Sequence, residues 1–128
     1  MRKVAMLAAT VAVLVLVAVT AVYAVNKHCT SKPCRGTNLA DILYERNGDG
    51  VPDAIYGLQG NDRLNAATFE NDADKLYGGP DNDRLNTVDT DGNDNLDGGR
   101  GFDTCNGELG ADFADVAVNC EAGNLAND

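Results

Sequence analysis

Two patterns of apolar residues divide the chain. From Val4 to Val25 the side chains are apolar except at Thr10, Thr20 and Tyr23. Beyond that run, single aliphatic residues recur two positions after an aspartate. The copies are Asp41-Ile42-Leu43, Asp53-Ala54-Ile55, Asp62-Arg63-Leu64, Asp74-Lys75-Leu76, Asp83-Arg84-Leu85 and Asp94-Asn95-Leu96. Two looser copies follow, Asp103-Thr104-Cys105 and Asp112-Phe113-Ala114, and successive aspartates lie 12, 9, 12, 9, 11, 9 and 9 residues apart. The pattern predicts short strands that each turn one apolar side chain inward. One repeat cannot bury that residue alone, but stacked neighbours can. The inward set is then Leu43, Ile55, Leu64, Leu76, Leu85 and Leu96, with Cys105 and Ala114 as poorer members.

The N-terminal run follows a short basic segment, Met1-Arg2-Lys3, and Val22-Tyr23-Ala24 offers small residues at −3 and −1 of a cleavage site. This reads as a secretory signal peptide over 1–24. A run of this length also suffices to span about 30 Å of hydrocarbon, so an uncleaved anchor is the competing reading. Either way the chain is expected to be exported, to the cell surface or into the medium.

Charge sharpens the division. All 20 acidic residues lie at or after Asp41, where the only bases are Arg46, Arg63, Lys75, Arg84 and Arg100, a net −15. The first 40 residues carry five bases and no acid. An acidic stretch of this kind has nothing with which to replace phosphate counterions, which excludes a nucleic-acid binder. The four cysteines, Cys29, Cys34, Cys105 and Cys120, all follow the leader. An even count in an exported chain suggests two disulfides, with three possible pairings. The spacing favours Cys29 with Cys34 and Cys105 with Cys120. A zinc site is the alternative, but there is no Cys-x-x-Cys pair and only one His.

Glycine turns stand before several aspartates: Gly57-Leu58-Gln59-Gly60-Asn61, Gly78-Gly79-Pro80-Asp81-Asn82, Gly98-Gly99-Arg100-Gly101-Phe102 and Gly107-Glu108-Leu109-Gly110-Ala111. With their aspartates these segments resemble the hemolysin-type (RTX) calcium-binding nonapeptide, Gly-Gly-x-Gly-x-Asp-x-aliphatic-x. The copy Gly98 to Asn106 matches it with Cys105 at the aliphatic position. The resemblance covers about 36–114 and implies an all-β fold, a parallel β-roll (right-handed β-solenoid) of short strands and glycine- and aspartate-rich turns. It implies several calcium ions between stacked turns and no catalytic activity in the repeat. The ligands it implies are the carboxylates of Asp41, Asp53, Asp62, Asp74, Asp83, Asp94, Asp103 and Asp112. Turn carbonyls at Gly57, Gly60, Gly78, Gly98 and Gly101 complete the set. Elementary chemistry agrees. Calcium takes six to eight hard oxygen ligands, and consecutive glycines turn several carbonyls inward at little steric cost. The pattern is broken where Asp72, Asp81, Leu39 and Val51 replace its third Gly and where Leu58 replaces its second.

A roll has two edges, so alternate repeats share one. Asp41, Asp62, Asp83 and Asp103 form one series, 21, 21 and 20 residues apart. Asp53, Asp74, Asp94 and Asp112 form the other, 21, 20 and 18 apart. The first series has short turns throughout. The second opens with expanded loops around 45–53, 66–74 and 87–94. One tight calcium edge and one edge of longer acidic loops are therefore expected, with partner contacts on the longer loops. Within the first of these, Asn47-Gly48-Asp49-Gly50-Val51-Pro52-Asp53 resembles the short calcium loops of EF-hand-like and thrombospondin type 3 repeats, which would enlist Asp49 and Asp53. The other reading is a solvated Asp-Gly turn.

The organisation expected is a leader over 1–24, a linker over 25–35 with Cys29 and Cys34, repeats over 36–114, and a C-terminal cap and tail over 115–128. Tyr44, Tyr56 and Tyr77 each follow a motif aspartate by three and are expected to stack along the roll, while Ala122 to Asp128 should be loose. The lone Ser31 and lone His28 precede the repeats, which argues against a Ser–His catalytic site. A low apolar content and a high charge cannot sustain a core without metal, so calcium binding should be coupled to folding. The function expected is an exported, non-enzymatic calcium-binding repeat protein. The alternative is a cell-surface or matrix interaction protein that uses the calcium-rigidified roll as a scaffold, with membrane contact only if the leader is retained.

Overall fold

In the computed structural model, residues 23–29, 33–45, 51–67, 72–89, 92–109 and 114–125 are described. Among the described residues there are ten strands: β1 (Asn26–His28), β2 (Cys34–Arg35), β3 (Ile42–Tyr44), β4 (Ala54–Tyr56), β5 (Arg63–Asn65), β6 (Lys75–Pro80), β7 (Arg84–Asn86), β8 (Asn95–Arg100), β9 (Thr104–Asn106) and β10 (Val116–Val118). Odd strands build one sheet in the order β1-β3-β5-β7-β9, and even strands build the other in the order β10-β8-β6-β4-β2. Every pairing is parallel. The chain thus alternates between two facing sheets and climbs one coil each time it returns, which is a parallel β-solenoid.

The inward column of the odd sheet runs Leu43, Leu64, Leu85, Cys105, all in register. That of the even sheet runs Cys34, Ile55, Leu76, Leu96, Ala117. All six expected Leu and Ile side chains are fully buried. A three-residue strand turns only its middle side chain inward, so one aliphatic residue per repeat fills the space. The disulfides Cys29–Cys34 and Cys105–Cys120 close the core at its two ends. Cys34 heads one inward column and Cys105 ends the other, so each bridge replaces an aliphatic pair where stacking stops.

The two edges differ as their spacing implies. Connections 57–62, 81–83 and 101–103 are short, and connections 45–53, 66–74 and 87–94 are longer. A fourth long connection, 107–115, corrects the sequence reading at the last repeat. There Ala117, not Ala114, points inward, and Ala114 is exposed. Tyr44 also departs from expectation. Tyr56 and Tyr77 stack in the even sheet with centroids 4.7 Å apart and Arg35 over Tyr56, whereas Tyr44 lies in the odd sheet beside His28. Alternate repeats belong to opposite sheets, so an aromatic residue in one cannot stack on the next. Part of the tail is tied down: Ala122 pairs with Thr104, and the Leu125 amide donates to the Cys105 carbonyl.

Candidate metal centre

The carboxylates of Asp41, Asp62, Asp74, Asp83, Asp94 and Asp103 each accept a backbone amide from the coil before. On the tight edge the amide of Asp41 donates to Oδ1 of Asp62 at 2.8 Å, that of Asp62 to Asp83 at 2.7 Å, and that of Asp83 to Asp103 at 2.7 Å. The Asp103 amide donates to the Glu121 carboxylate at 2.8 Å, which ends the row. On the long-loop edge the amide of Asp53 donates to Asp74 at 2.7 Å, that of Asp74 to Asp94 at 2.7 Å, and that of Asp94 to Asp115 at 3.1 Å. The member of this row after Asp94 is Asp115. Asp112, expected there, lies outside the described residues, as does Asp49.

One oxygen of each carboxylate is thereby used, and several second oxygens are left over. Oδ2 of Asp62, Asp83, Asp94 and Asp103 is buried with no hydrogen-bond partner. A buried, unsatisfied polar atom is costly, and in a native protein it commonly awaits a ligand, an ion or water. Burial, the largest influence, raises the pKa of Asp62 to about 6, of Asp74 and Asp83 to about 7, and of Asp94 to about 8. Backbone donors oppose the rise, and the charges acting on these four groups are other carboxylates. Asp103 is raised for the same reasons, with Glu121 and Asp97 nearby.

The glycines divide into two roles. Gly57 and Gly78 open tight turns where a side chain would strike the Oδ2 of Asp62 or Asp83 and the carbonyl of Gly78 or Gly98 in the next coil. Gly98 is hemmed in likewise by the Asp103 side chain and the Asn119 carbonyl. At these positions a missing Cβ leaves a cradle in which a carboxylate oxygen and a carbonyl oxygen converge. Gly60 (φ +113°) and Gly101 (φ +158°) stand instead where the turn needs positive φ. Leu58 (φ +85°) and Asp81 (φ +86°) adopt positive φ at the positions where they replace motif glycines.

On the long-loop edge more carboxylates join the row. Glu45, Asp72 and Asp74 bring one ligand atom each within 4.8 Å of one another, and so do Asp89, Asp94 and Glu108. Glu45, Asp89 and Glu108 are not among the ligands the repeat pattern implies, and Asp72 enters that pattern only as a break at its third Gly. Their one signal was position, just after a strand of the odd sheet or just before a motif aspartate. Hard, anionic and carbonyl oxygens repeated coil by coil are the donor set calcium takes, and the residues present fit that ion.

The fold and its rows of carboxylates define a metal-binding β-solenoid. Residues 47–68, 70–87 and 88–114, more than half of the chain, match the RTX calcium-binding nonapeptide repeat (4 copies). The chain belongs to that family and is a calcium-binding repeat protein. No curated protein and no solved structure matches it.

Proposed function

We propose that this protein is an exported, non-enzymatic calcium-binding module whose roll forms when calcium neutralises its carboxylate rows. The observation that carries this reading is the set of buried, partnerless Oδ2 atoms on Asp62, Asp83, Asp94 and Asp103. Without metal, closely spaced carboxylates repel one another at the centre of each edge, and a single aliphatic residue per strand offers little burial to offset that. Calcium removes the repulsion, so its binding energy becomes folding energy. The ligands are the carboxylates of Asp41, Asp53, Asp62, Asp74, Asp83, Asp94 and Asp103 with turn carbonyls such as those of Gly78 and Gly98.

Two local disulfides and the apolar leader support export, because such bridges persist in oxidising compartments. Calcium modules that work outside cells bind at about 10⁻⁴–10⁻³ M. A chain with sites in that range would cross the membrane unfolded and acquire structure outside. The test is far-UV circular dichroism of the processed protein in calcium, magnesium and chelator. Strand signal in calcium alone is expected, and identical spectra in all three would overturn the reading.

A further inference from the structure

We propose that Arg63 and Arg84 form the centre of a docking groove on the outer face of the odd sheet. Its partner is an extended acidic peptide segment that presents two carboxylates flanked by apolar side chains. The groove crosses four coils and has a volume of about 600 Å³. Strands β3, β5, β7 and β9 set Ile42, Arg63, Arg84 and Thr104 in one column, in register from coil to coil. Adjacent strands lie about 4.8 Å apart, so the two arginines spring from neighbouring positions. Phe102, 61% exposed, lines the groove at the Thr104 end. Along the groove the order is therefore apolar, cationic, cationic, apolar.

Both arginines are exposed, and among the described residues neither has a carboxylate partner. Like charges side by side on a sheet oppose its stability. Nor do the guanidiniums serve the carboxylate row beneath them. Asp62 and Asp83, their chain neighbours, are buried, and the charges acting on those two carboxylates are other carboxylates. From Asp41 onward the chain has five bases against 20 acids. Two of the five stand together here without a counter-ion, which makes this face the place where an external anion is held.

Two side-chain amides in the groove add further donors. Oδ1 of Asn61 accepts the Asn82 backbone amide at 3.0 Å, and Oδ1 of Asn82 accepts that of Phe102 at 2.8 Å. With both oxygens taken, the NH2 groups are left to the oxygens of a ligand. Planar guanidiniums match carboxylates through paired hydrogen bonds, and Ile42 and Phe102 receive the flanking apolar side chains. An extended peptide turns every second residue to one side, so it can present all four groups together. A nucleic acid or charged polysaccharide fits less well, because its charge runs along its whole length. It would also meet the exposed Asp81 and the acidic loops that bound the sheet, whereas a peptide confines its charge to two positions.

The test is isothermal titration of the calcium-loaded, disulfide-bonded protein with a synthetic peptide whose alternate residues are leucine, glutamate, glutamate and leucine, separated by serines. Binding is expected, and the same peptide with glutamines for glutamates should bind on the order of tenfold more weakly. The double variant Arg63→Gln, Arg84→Gln should lose affinity for the glutamate peptide to a similar extent, and so should Phe102→Ala. These side chains lie on the surface, so both variants should keep the circular dichroism of the wild type in calcium. No binding by the wild type, or equal binding by the double variant, would overturn the groove, and neither result bears on calcium binding. Polygalacturonate and phosphatidylserine vesicles serve as competing probes. Tighter binding of either one through the same arginines would overturn the choice of partner.

Discussion

The backbone amide of Val25 donates to Oδ1 of Asp41 at 2.6 Å. In the coils above, the same position on the next carboxylate is filled by the amide of a motif aspartate. Val25 is also the residue that follows the small-x-small site ending at Ala24. Cleavage there would turn this amide into an α-ammonium seated on the first carboxylate of the tight-edge row. A charge-assisted bond of this kind is worth about 1.5–3 kcal/mol. Protein beginning at Val25 should therefore melt higher in calcium than the same chain acetylated at Val25. Equal melting temperatures would show that the processed terminus adds nothing.

Acidity should substitute in part for calcium. The folded-state pKa values of Asp62, Asp74, Asp83 and Asp94, about 6 to 8, lie above their ordinary value of 3.8. Groups raised in this way stabilise the fold fully below their unfolded pKa, and that contribution is lost as pH rises through the folded values. The calcium-free protein should thus show more strand signal near pH 5 than near pH 8. Calcium competes with these protons, so its apparent affinity should rise on the order of tenfold between pH 6 and pH 8. Circular dichroism at several pH values, with and without chelator, measures both trends.

The first glycine of a tight turn should tolerate no side chain. A Cβ on Gly57 would strike Oδ2 of Asp62 and the Gly78 carbonyl. Gly57→Ala should destabilise the calcium-loaded protein by about 1–3 kcal/mol, as overpacking does, and weaken calcium binding at that turn. Leu58 has the opposite problem, since its φ of +85° is costly for a residue with a side chain. Leu58→Gly should raise stability by about 1 kcal/mol. Thermal unfolding of both variants in calcium tests the pair.

Much of this was legible in the sequence, because one aliphatic residue two places after each aspartate leaves only one way to face a core. Leu43, Ile55, Leu64, Leu76, Leu85 and Leu96 are buried for that reason, and both disulfide pairings followed from spacing. The last repeat misled because Asp112-Phe113-Ala114 keeps the nine-residue interval, while Asp115 lies 21 residues after Asp94. The coil length governed, since parallel pairing fixes register across coils and not along the chain. Glu45, Asp89 and Glu108 were hidden for a different reason. They belong to loops, and only the stacking of coils brings such side chains beside a motif carboxylate.

Reduction of the terminal bridges should make the protein more dependent on calcium. Cys105–Cys120 closes the core where Leu85 has Cys105 as its last neighbour in the column. Losing a bridge of this span costs about 2–4 kcal/mol. The reduced protein should require a higher calcium concentration at the folding midpoint. An unchanged midpoint would mean that the ends of the roll do not limit its stability.

Hydrogen exchange at the carboxylate rows tests the coupling of calcium to folding most directly. The amides of Asp41, Asp53, Asp62, Asp74, Asp83 and Asp94 each donate to a carboxylate of the next coil. At pH 7.5 in calcium all six should exchange slowly, and in chelator all six should exchange as an unfolded chain does. Equal protection in both conditions would contradict the proposal that calcium, by neutralising these rows, makes the roll.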